Sequence, residues 1–300
     1  ARREVALGAD GQTVPCSLAV RPQRPGVHVY RISVQPFAGE ATADNNEALV
    51  ALEVRPERVA VLLLAAAPSA DLAYLRRVLA ADSSLAVQVR ADMGVEGSAV
   101  GQAEIARLVR AARAVALVDP GGALRQEAVA ASLGELLAQG GGVFMVCGPQ
   151  TMTAWSAGLP PVSWLPVELP VRLAWSPGPV PVALTAAGRA HPIGRPPAQD
   201  GVADPWQQLP PLPGLVPVAR VHQGAVVVLQ TASGGDAPIL VAGTAGRGRV
   251  VVALSGGFWR LDLQSSGAGR NPRAVRELLA NAVRWLGTQE GGSRLRAWSD

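Results

Sequence analysis

Lysine is missing from this sequence, and all 27 basic residues are arginine. With alanine and valine everywhere, this uniform choice reads as a bias in coding composition. It does not read as a device for gripping a polyanion. The arginines are scattered, and aromatic residues make up only 4% of the chain. No basic stripe is interleaved with stacking side chains, so nucleic-acid binding is not expected. Cysteine is scarce as well. Cys16 and Cys147 fall in segments expected to belong to different domains. A disulfide framework is therefore not expected, and no CxxC pair or His/Cys cluster has zinc spacing. GxGxxG, P-loop and GxSxG patterns are also absent, so no cofactor or metal is expected. No apolar run approaches the ~20 residues of a membrane helix. The longest, Val59 to Ala67, is strand-length. No secretory leader is recognisable at Ala1, and the chain is expected to be a processed protein or a segment of a longer one.

What is present suits a packed protein. The 300 residues are 49% hydrophobic and 17% charged, enough to bury a core in one large domain or two ordinary ones. The 33 glycines and 25 prolines fall between apolar runs and form no repeat. This distribution predicts many short elements joined by many turns.

The first 56 residues read as β-structure. REVALGADGQTVPCSLAV holds two alternating segments around Gly8-Ala9-Asp10-Gly11, a hairpin signal. GVHVYRISVQP and ALVALEV add two more strands. Four strands are fewer than a full sandwich needs, so residues 1–56 are expected to be a partial β-sandwich with its missing strands upstream, or a sheet that leans on the next domain. The period changes after Arg55-Pro56-Glu57-Arg58. Residues 57–288 are expected to form an α/β domain, and residues 289–300 a flexible tail.

Within 57–288, strand and helix patterns alternate. VAVLLLA, LAVQVRADM, AVALVDPGG and GVFMVCGPQ read as buried parallel strands. DLAYLRRVLAAD, QAEIARLVRAARA and RQEAVAASLGELLAQ read as the helices between them, with Ser69 or Asp71 capping the first. Successive β-α units predict a doubly wound, mostly parallel sheet with right-handed crossovers. Residues 155–217 are Pro-rich and read as irregular, with short strands at LPVELPVRLAW and VPVALT. AVVVLQT, APILVAG and RVVVALS read as an antiparallel meander extending the same sheet. NPRAVRELLANAVRWLG reads as a closing helix, with Asn271 as its cap and Pro272 in its first turn.

In such a sheet, ligands bind at the carboxyl ends of the strands. Cys147 leaves a buried strand at a Gly-Pro turn, where a nucleophile could be held beside backbone N–H groups. A small buried cysteine at a strand end also needs no function. Of the three histidines, His28 reads as structural and His222 as a turn residue. His191 is the candidate partner for Cys147. A third member to orient it is missing: Ile193 stands at the near position, and Asp200 and Asp204 are the remaining acids. Asp119, in Asp119-Pro120-Gly121-Gly122, can bind a ligand, cap a helix or start a turn. Gly148 and Gln150 complete the Cys147 turn. Trp259 and Arg260 either flank the pocket or plug the core. Gly246-Arg247-Gly248-Arg249 reads as a hairpin turn and not a phosphate loop.

The order GGGVFMVCGPQ, LTAAGRAHPI, WQQLPPLPG, APILVAGTAGRGRVVVALSGGFWRLDL and a closing RWLG resembles a bacterial group. These are the class I glutamine amidotransferase-like domains of membrane-anchored proteins that also carry von Willebrand factor A-type and Ig-like segments. GVHVYRISVQPFAGEATADNNEALVALEV resembles the end of such an Ig-like segment. The resemblance implies a flavodoxin-like fold. Working enzymes of this class carry a Gly-x-Cys-x-Gly elbow and a later His-x-Glu. This chain has Val146-Cys147-Gly148-Pro149, and His191-Pro192-Ile193 with isoleucine in place of the glutamate. The resemblance also implies an extracytoplasmic, membrane-associated setting, and members of the group that lack the full triad. Three readings follow: a non-catalytic module binding a protein or small ligand, a cysteine-dependent amidohydrolase using Cys147 and His191, or a structural spacer. Partners are expected to be a protein or other domains of a longer chain.

Overall fold

The computed structural model describes residues 4–5, 16, 18, 20, 22, 26–36, 42, 44–54, 58–92, 99–158, 161–195, 206, 209–233, 235–267 and 273–288. Arg58–Gln289 form one compact unit, and the amino-terminal segment belongs to a second. In that second unit β1 (Gly26–Ser33) and β2 (Glu47–Val54) pair antiparallel, from Gly26 opposite Val54 to Ser33 opposite Glu47. The expected hairpin around Gly8–Gly11 and the tail at 289–300 lie outside the described residues.

The α/β unit begins with β3 (Val59–Ala65), α1 (Ala70–Ala80), β4 (Leu85–Arg90), α2 (Ala99–Ala111), β5 (Ala114–Val118), α3 (Glu127–Ala138) and β6 (Gly142–Val146). Six of seven residues in β3 are buried, and every residue of β5 and β6 is buried. Continuous apolar runs are what a parallel strand covered on both faces requires. Ser69 starts α1 by accepting the Leu72 N–H at 3.1 Å. Gly140, with φ +80°, ends the chain's run through α3 in the left-handed region that glycine adopts freely.

The chain continues through α4 (Pro149–Ser156), β7 (Val167–Glu168), β8 (Ser176–Val180), β9 (Val182–Leu184), α5 (Ala186–Ala190), β10 (Leu212–Leu215) and β11 (Arg220–Val221). Then come β12 (Val226–Thr231), β13 (Pro238–Ala245), β14 (Gly248–Ala253), α6 (Phe258–Gly267) and α7 (Arg273–Gly287). One sheet of eight strands has the order β4-β3-β5-β6-β14-β13-β12-β9. The first five strands are mutually parallel, and β13, β12 and β9 extend the sheet antiparallel. The meander therefore joins the main sheet through β14, which pairs with β6 from Arg249 opposite Gly142 to Ala253 opposite Val146.

Two stretches differ from the sequence reading. The fourth strand stops at Val146, and Pro149 opens α4 inside the stretch that was read as that strand. Proline suits that position because its missing N–H would have had no partner in the first helical turn. Phe258–Gly267 is a helix, where the sequence suggested a strand end carrying Trp259. Its periodicity was hidden because only Phe258, Leu261, Asp262 and Ser265 face inward, and two of those are polar.

Candidate functional site

The sheet order sets where a site can form. β3 sends the chain to β4 on one side, and the chain then crosses back to β5 on the other. The loops leaving β3 and β5 diverge there, and that opens a crevice at the carboxyl edge. Asp71 follows β3 and Asp119 follows β5, so the crevice is flanked by two carboxylates.

Each carboxylate is tied to a neighbouring strand-end loop. Ser69 already caps α1, which leaves Asp71 to bond elsewhere. Its Oδ1 accepts the Gly257 N–H at 2.8 Å, linking α1 to the loop between β14 and α6. A β-carbon at Gly256 would lie 3.0 Å from Asp71 Oδ2 and 3.5 Å from the Cys147 carbonyl oxygen. Asp119 has φ +46°, unusual for a residue with a side chain. Its N–H donates to Val146 O at 2.9 Å, and its carboxylate turns onto α4. There Oδ2 accepts the Gln150 N–H at 3.0 Å and Oδ1 accepts the Thr151 N–H at 2.7 Å. A carboxylate at a helix N-terminus satisfies orphan donors and meets the positive end of the helix dipole. Gly148 must be glycine for this approach, because a β-carbon there would sit 2.6 Å from Asp119 Cγ.

Charge at the edge is uneven. Burial pushes the Asp71 carboxyl above the usual carboxylate range, and nearby Asp119 adds to this; the Gly257 N–H and Arg260 oppose it. Arg260 sits in the first turn of α6 with its guanidinium 5.0 Å above the Trp259 ring. Ser255 is fully buried, with Oγ 2.7 Å from Gly214 O and 2.9 Å from Gly256 O. It holds the loop and is not presented to the crevice.

The sequence-predicted residues separate into two places. Asp119, Gly148 and Gln150 come together at the carboxyl edge. Gly148 is the residue before α4, and Gln150 contributes the N–H that Asp119 accepts. Trp259 joins the edge from α6. Cys147 is at the end of β6 but has no exposed surface, and its N–H donates to Ala253 O at 2.9 Å. Burial, and secondarily Asp119, push its thiol well above the ordinary cysteine value. The thiolate is the reactive form, so this environment suppresses nucleophilicity.

His191 lies at the other end of the sheet. It closes α5 and meets Trp285 edge-on, with ring centroids 4.9 Å apart. Arg249 packs over the Trp285 ring, 5.0 Å from its centroid. Arg249 is opposite Gly142, at the amino end of β6. β6 has five residues, so its two ends are roughly 15 Å apart. Cys147 and His191 therefore form no pair. Ile193 is fully buried and donates its N–H to His191 Nδ1 at 3.3 Å. Asp200 and Asp204 lie outside the described residues, and among the described residues no carboxylate bonds His191.

The setting of His191 predicts a pH effect on stability. Burial first, and then Arg249, lower its pKa from the ordinary value of 6.5. Above that value neither the folded nor the unfolded state carries the proton, and stability is full. As pH falls through 6.5 the unfolded chain binds a proton that the folded chain refuses, so stability declines. The unfolding temperature is expected to fall between pH 7.5 and pH 5.5 in the wild type, and to fall less in His191→Gln. Equal slopes in thermal melts would show that His191 is not the titrating group.

Sequence reading missed Asp71 and Arg260 as members of the edge. Asp71 looked like a helix cap, and only the pairing of β14 with β6 brings Gly257 to it. Arg260 was noted beside Trp259, but its charge relation to Asp71 needs the fold.

These features define a doubly wound α/β unit of flavodoxin-like strand order, with carboxylates flanking its switch-point crevice. No family profile matches the chain, and no curated protein matches it. Solved structures share its fold. A cytoplasmic protein from Salmonella typhimurium is 17% identical, covers 77% of this chain and all of its own, and superposes with a TM-score of 0.56. A ThuA-like protein from Bacteroides uniformis is 14% identical, with 80% of this chain and 96% of that one covered and a TM-score of 0.50. A GMP synthase-type protein from Thermoplasma acidophilum overlaps more weakly, at 6% identity, 77% and 97% coverage and a TM-score of 0.40. At such identities the first two likenesses show the fold alone. No helix among the described residues is long and apolar enough to cross a membrane.

Proposed function

We propose that the α/β unit is an amidotransferase-like module without nucleophilic catalysis, acting in binding or assembly within a larger, envelope-associated bacterial protein. The observation that carries this reading is the state of Cys147. It is fully buried, its thiol is held protonated, and His191 stands at the opposite edge of the sheet. A nucleophile needs exposure and a base within hydrogen-bond reach; Cys147 is buried, and among the described residues no base bonds its thiol. The envelope setting and the association with further domains rest on the sequence resemblance.

Binding is assigned to the carboxyl edge. Asp71 and Asp119 supply acceptors, Arg260 supplies a charge-assisted donor, and Trp259 supplies an aromatic face. The ring packs partly against the hydrophobic core and the Arg260 guanidinium lies over it, so Trp259 and Arg260 would meet a partner together. A partner or small ligand with a donor group facing Asp71 fits this arrangement.

A thiol-reactive glutamine analogue tests the reading. Incubation with the folded protein is expected to leave Cys147 unlabelled, and His191→Ala is expected to change nothing. Stoichiometric labelling of Cys147 that disappears in His191→Ala would sink the proposal and establish the amidohydrolase alternative.

A further inference from the structure

A second feature lies on the helical face made by α1 and α7, and no strand-end loop contributes to it. A groove of about 320 Å³ runs between these helices. Arg77, Arg276 and Arg284 line it together with Asp82 and Glu277, and Val78 contributes apolar wall. Three guanidinium groups converging on one groove is an arrangement that recognises oxyanions, because each presents a planar fork of donors.

Two of the three arginines are hydrogen-bonded from behind, and Arg77 rests against a ring. Arg276 donates through Nε and Nη2 to Asp262, at 2.6 and 2.8 Å, and that carboxylate has no exposed surface. Arg284 donates through Nε to Asp82 at 2.6 Å and through Nη1 to Asn281 at 2.7 Å. Arg77 lies 5.3 Å from the Tyr74 ring centroid and touches Asp262 only at 3.7 Å. Among the described residues, Arg276 Nη1, Arg284 Nη2 and most of the Arg77 fork make no further hydrogen bond. About half of each of these side chains is exposed. Anchored guanidinium groups with spare donors lose little entropy when they bind an anion.

The charge count decides which anion. Arg77, Arg276 and Arg284 face Asp82, Glu277 and the buried Asp262, and Arg273 pairs with Glu277 at 2.5 Å. Four positive charges against three negative leave the groove only weakly positive. A dianion would meet Asp82 and Glu277 at close range, whereas a single carboxylate fits the surplus.

We propose that this α1–α7 groove is a binding site for a carboxylate group, held chiefly by Arg77 and Arg276. The site is independent of the carboxyl-edge reading above, since no residue is shared. Titration of the folded chain with sodium acetate, a monocarboxylate, at pH 7.5 and constant ionic strength tests it, followed through the arginine Nε–H resonances. Saturable shifts are expected at Arg77 and Arg276. Arg77→Gln is expected to weaken binding roughly tenfold, the loss of one charge-assisted contact. Glu277→Gln is expected to strengthen it by about threefold by removing a repulsive charge. A parallel titration with sodium phosphate at pH 7.5 is expected to bind more weakly. Absent or non-saturating shifts, equal binding in Arg77→Gln, or tighter binding of phosphate than of acetate would each overturn the assignment.

Discussion

Asp262→Ala is expected to destabilise the α/β unit by about 2–3 kcal/mol, the cost of losing a buried carboxylate that accepts charge-assisted hydrogen bonds. Asp262 sits in α6 with no exposed surface and gathers side chains from two other helices. It accepts the Tyr74 O–H at 2.9 Å from α1 and two N–H groups of Arg276 from α7. Arg77, also on α1, approaches at 3.7 Å. Burial alone would raise the Asp262 pKa, but the Arg276 and Tyr74 hydrogen bonds outweigh it and hold the carboxyl below its usual range. Burial, and then Asp262 itself, push the Tyr74 hydroxyl up. Truncation leaves the buried Tyr74 hydroxyl without its acceptor, while the half-exposed Arg276 can turn to solvent, so the Tyr74 desolvation and the lost charge-assisted bonds make up the cost. Urea unfolding of Arg58–Gln289 within the full chain measures it. Arg273→Ala, which removes an exposed pair with Glu277, serves as the reference and is expected to cost less than about 1 kcal/mol. Similar losses for the two variants would show that the Asp262 network is not the lock between α1, α6 and α7. Because the folded pKa is depressed, this stabilisation is present above the unfolded carboxylate value and is lost as pH falls through the folded one.

Gly148→Ala is expected to cost about 2–4 kcal/mol, combining steric overpacking with a lost helix cap. The added β-carbon would lie 2.6 Å from Asp119 Cγ, 2.7 Å from Oδ2 and 3.0 Å from Cβ. Asp119 cannot swing aside cheaply, because its side chain is short and its backbone is fixed at φ +46° by the strand end. Displacing it releases the Gln150 and Thr151 N–H groups at the start of α4. The double variant makes this specific. In an Asp119→Gly background the alanine at 148 loses all three of these contacts, so its added cost is expected to fall below about 1 kcal/mol. Full additivity in thermal unfolding would mean that the clash is not with the Asp119 carboxylate.

The parallel half of the sheet was legible because its strands are buried on both faces. VAVLLLA, AVALV and GVFMV are unbroken apolar runs, and the helices between them carry apolar residues at helical spacing. The meander was legible for a related reason: its turns are glycine-rich, and Gly246 takes φ +59° between β13 and β14. α4 and α6 were not legible. α4 follows the strand after only two residues, and α6 buries Asp262 and Ser265 where a sequence reader looks for leucines. The site was half legible. Asp119, Gly148 and Gln150 are local to strand ends, and strand-end position is readable. The separation of His191 from Cys147 was not, because it depends on β9 joining the sheet beside β12 and leading α5 towards the amino edge. The bond from Asp71 to Gly257 spans 186 positions and exists only once β14 pairs with β6.

The buried, base-less state of Cys147 can be measured against a reference within the same chain. Cys16 is exposed and Cys147 is buried. Limiting iodoacetamide at neutral pH, with peptide mass spectrometry at timed intervals, gives both alkylation rates in one experiment. Cys16 is expected to react at the rate of an ordinary thiol. Cys147 is expected to react at least about a hundredfold more slowly, in keeping with a buried, protonated thiol, and to approach the Cys16 rate only in denaturant. Alkylation of Cys147 as fast as Cys16 in the folded protein, slowed by His191→Ala, would contradict the non-nucleophilic reading.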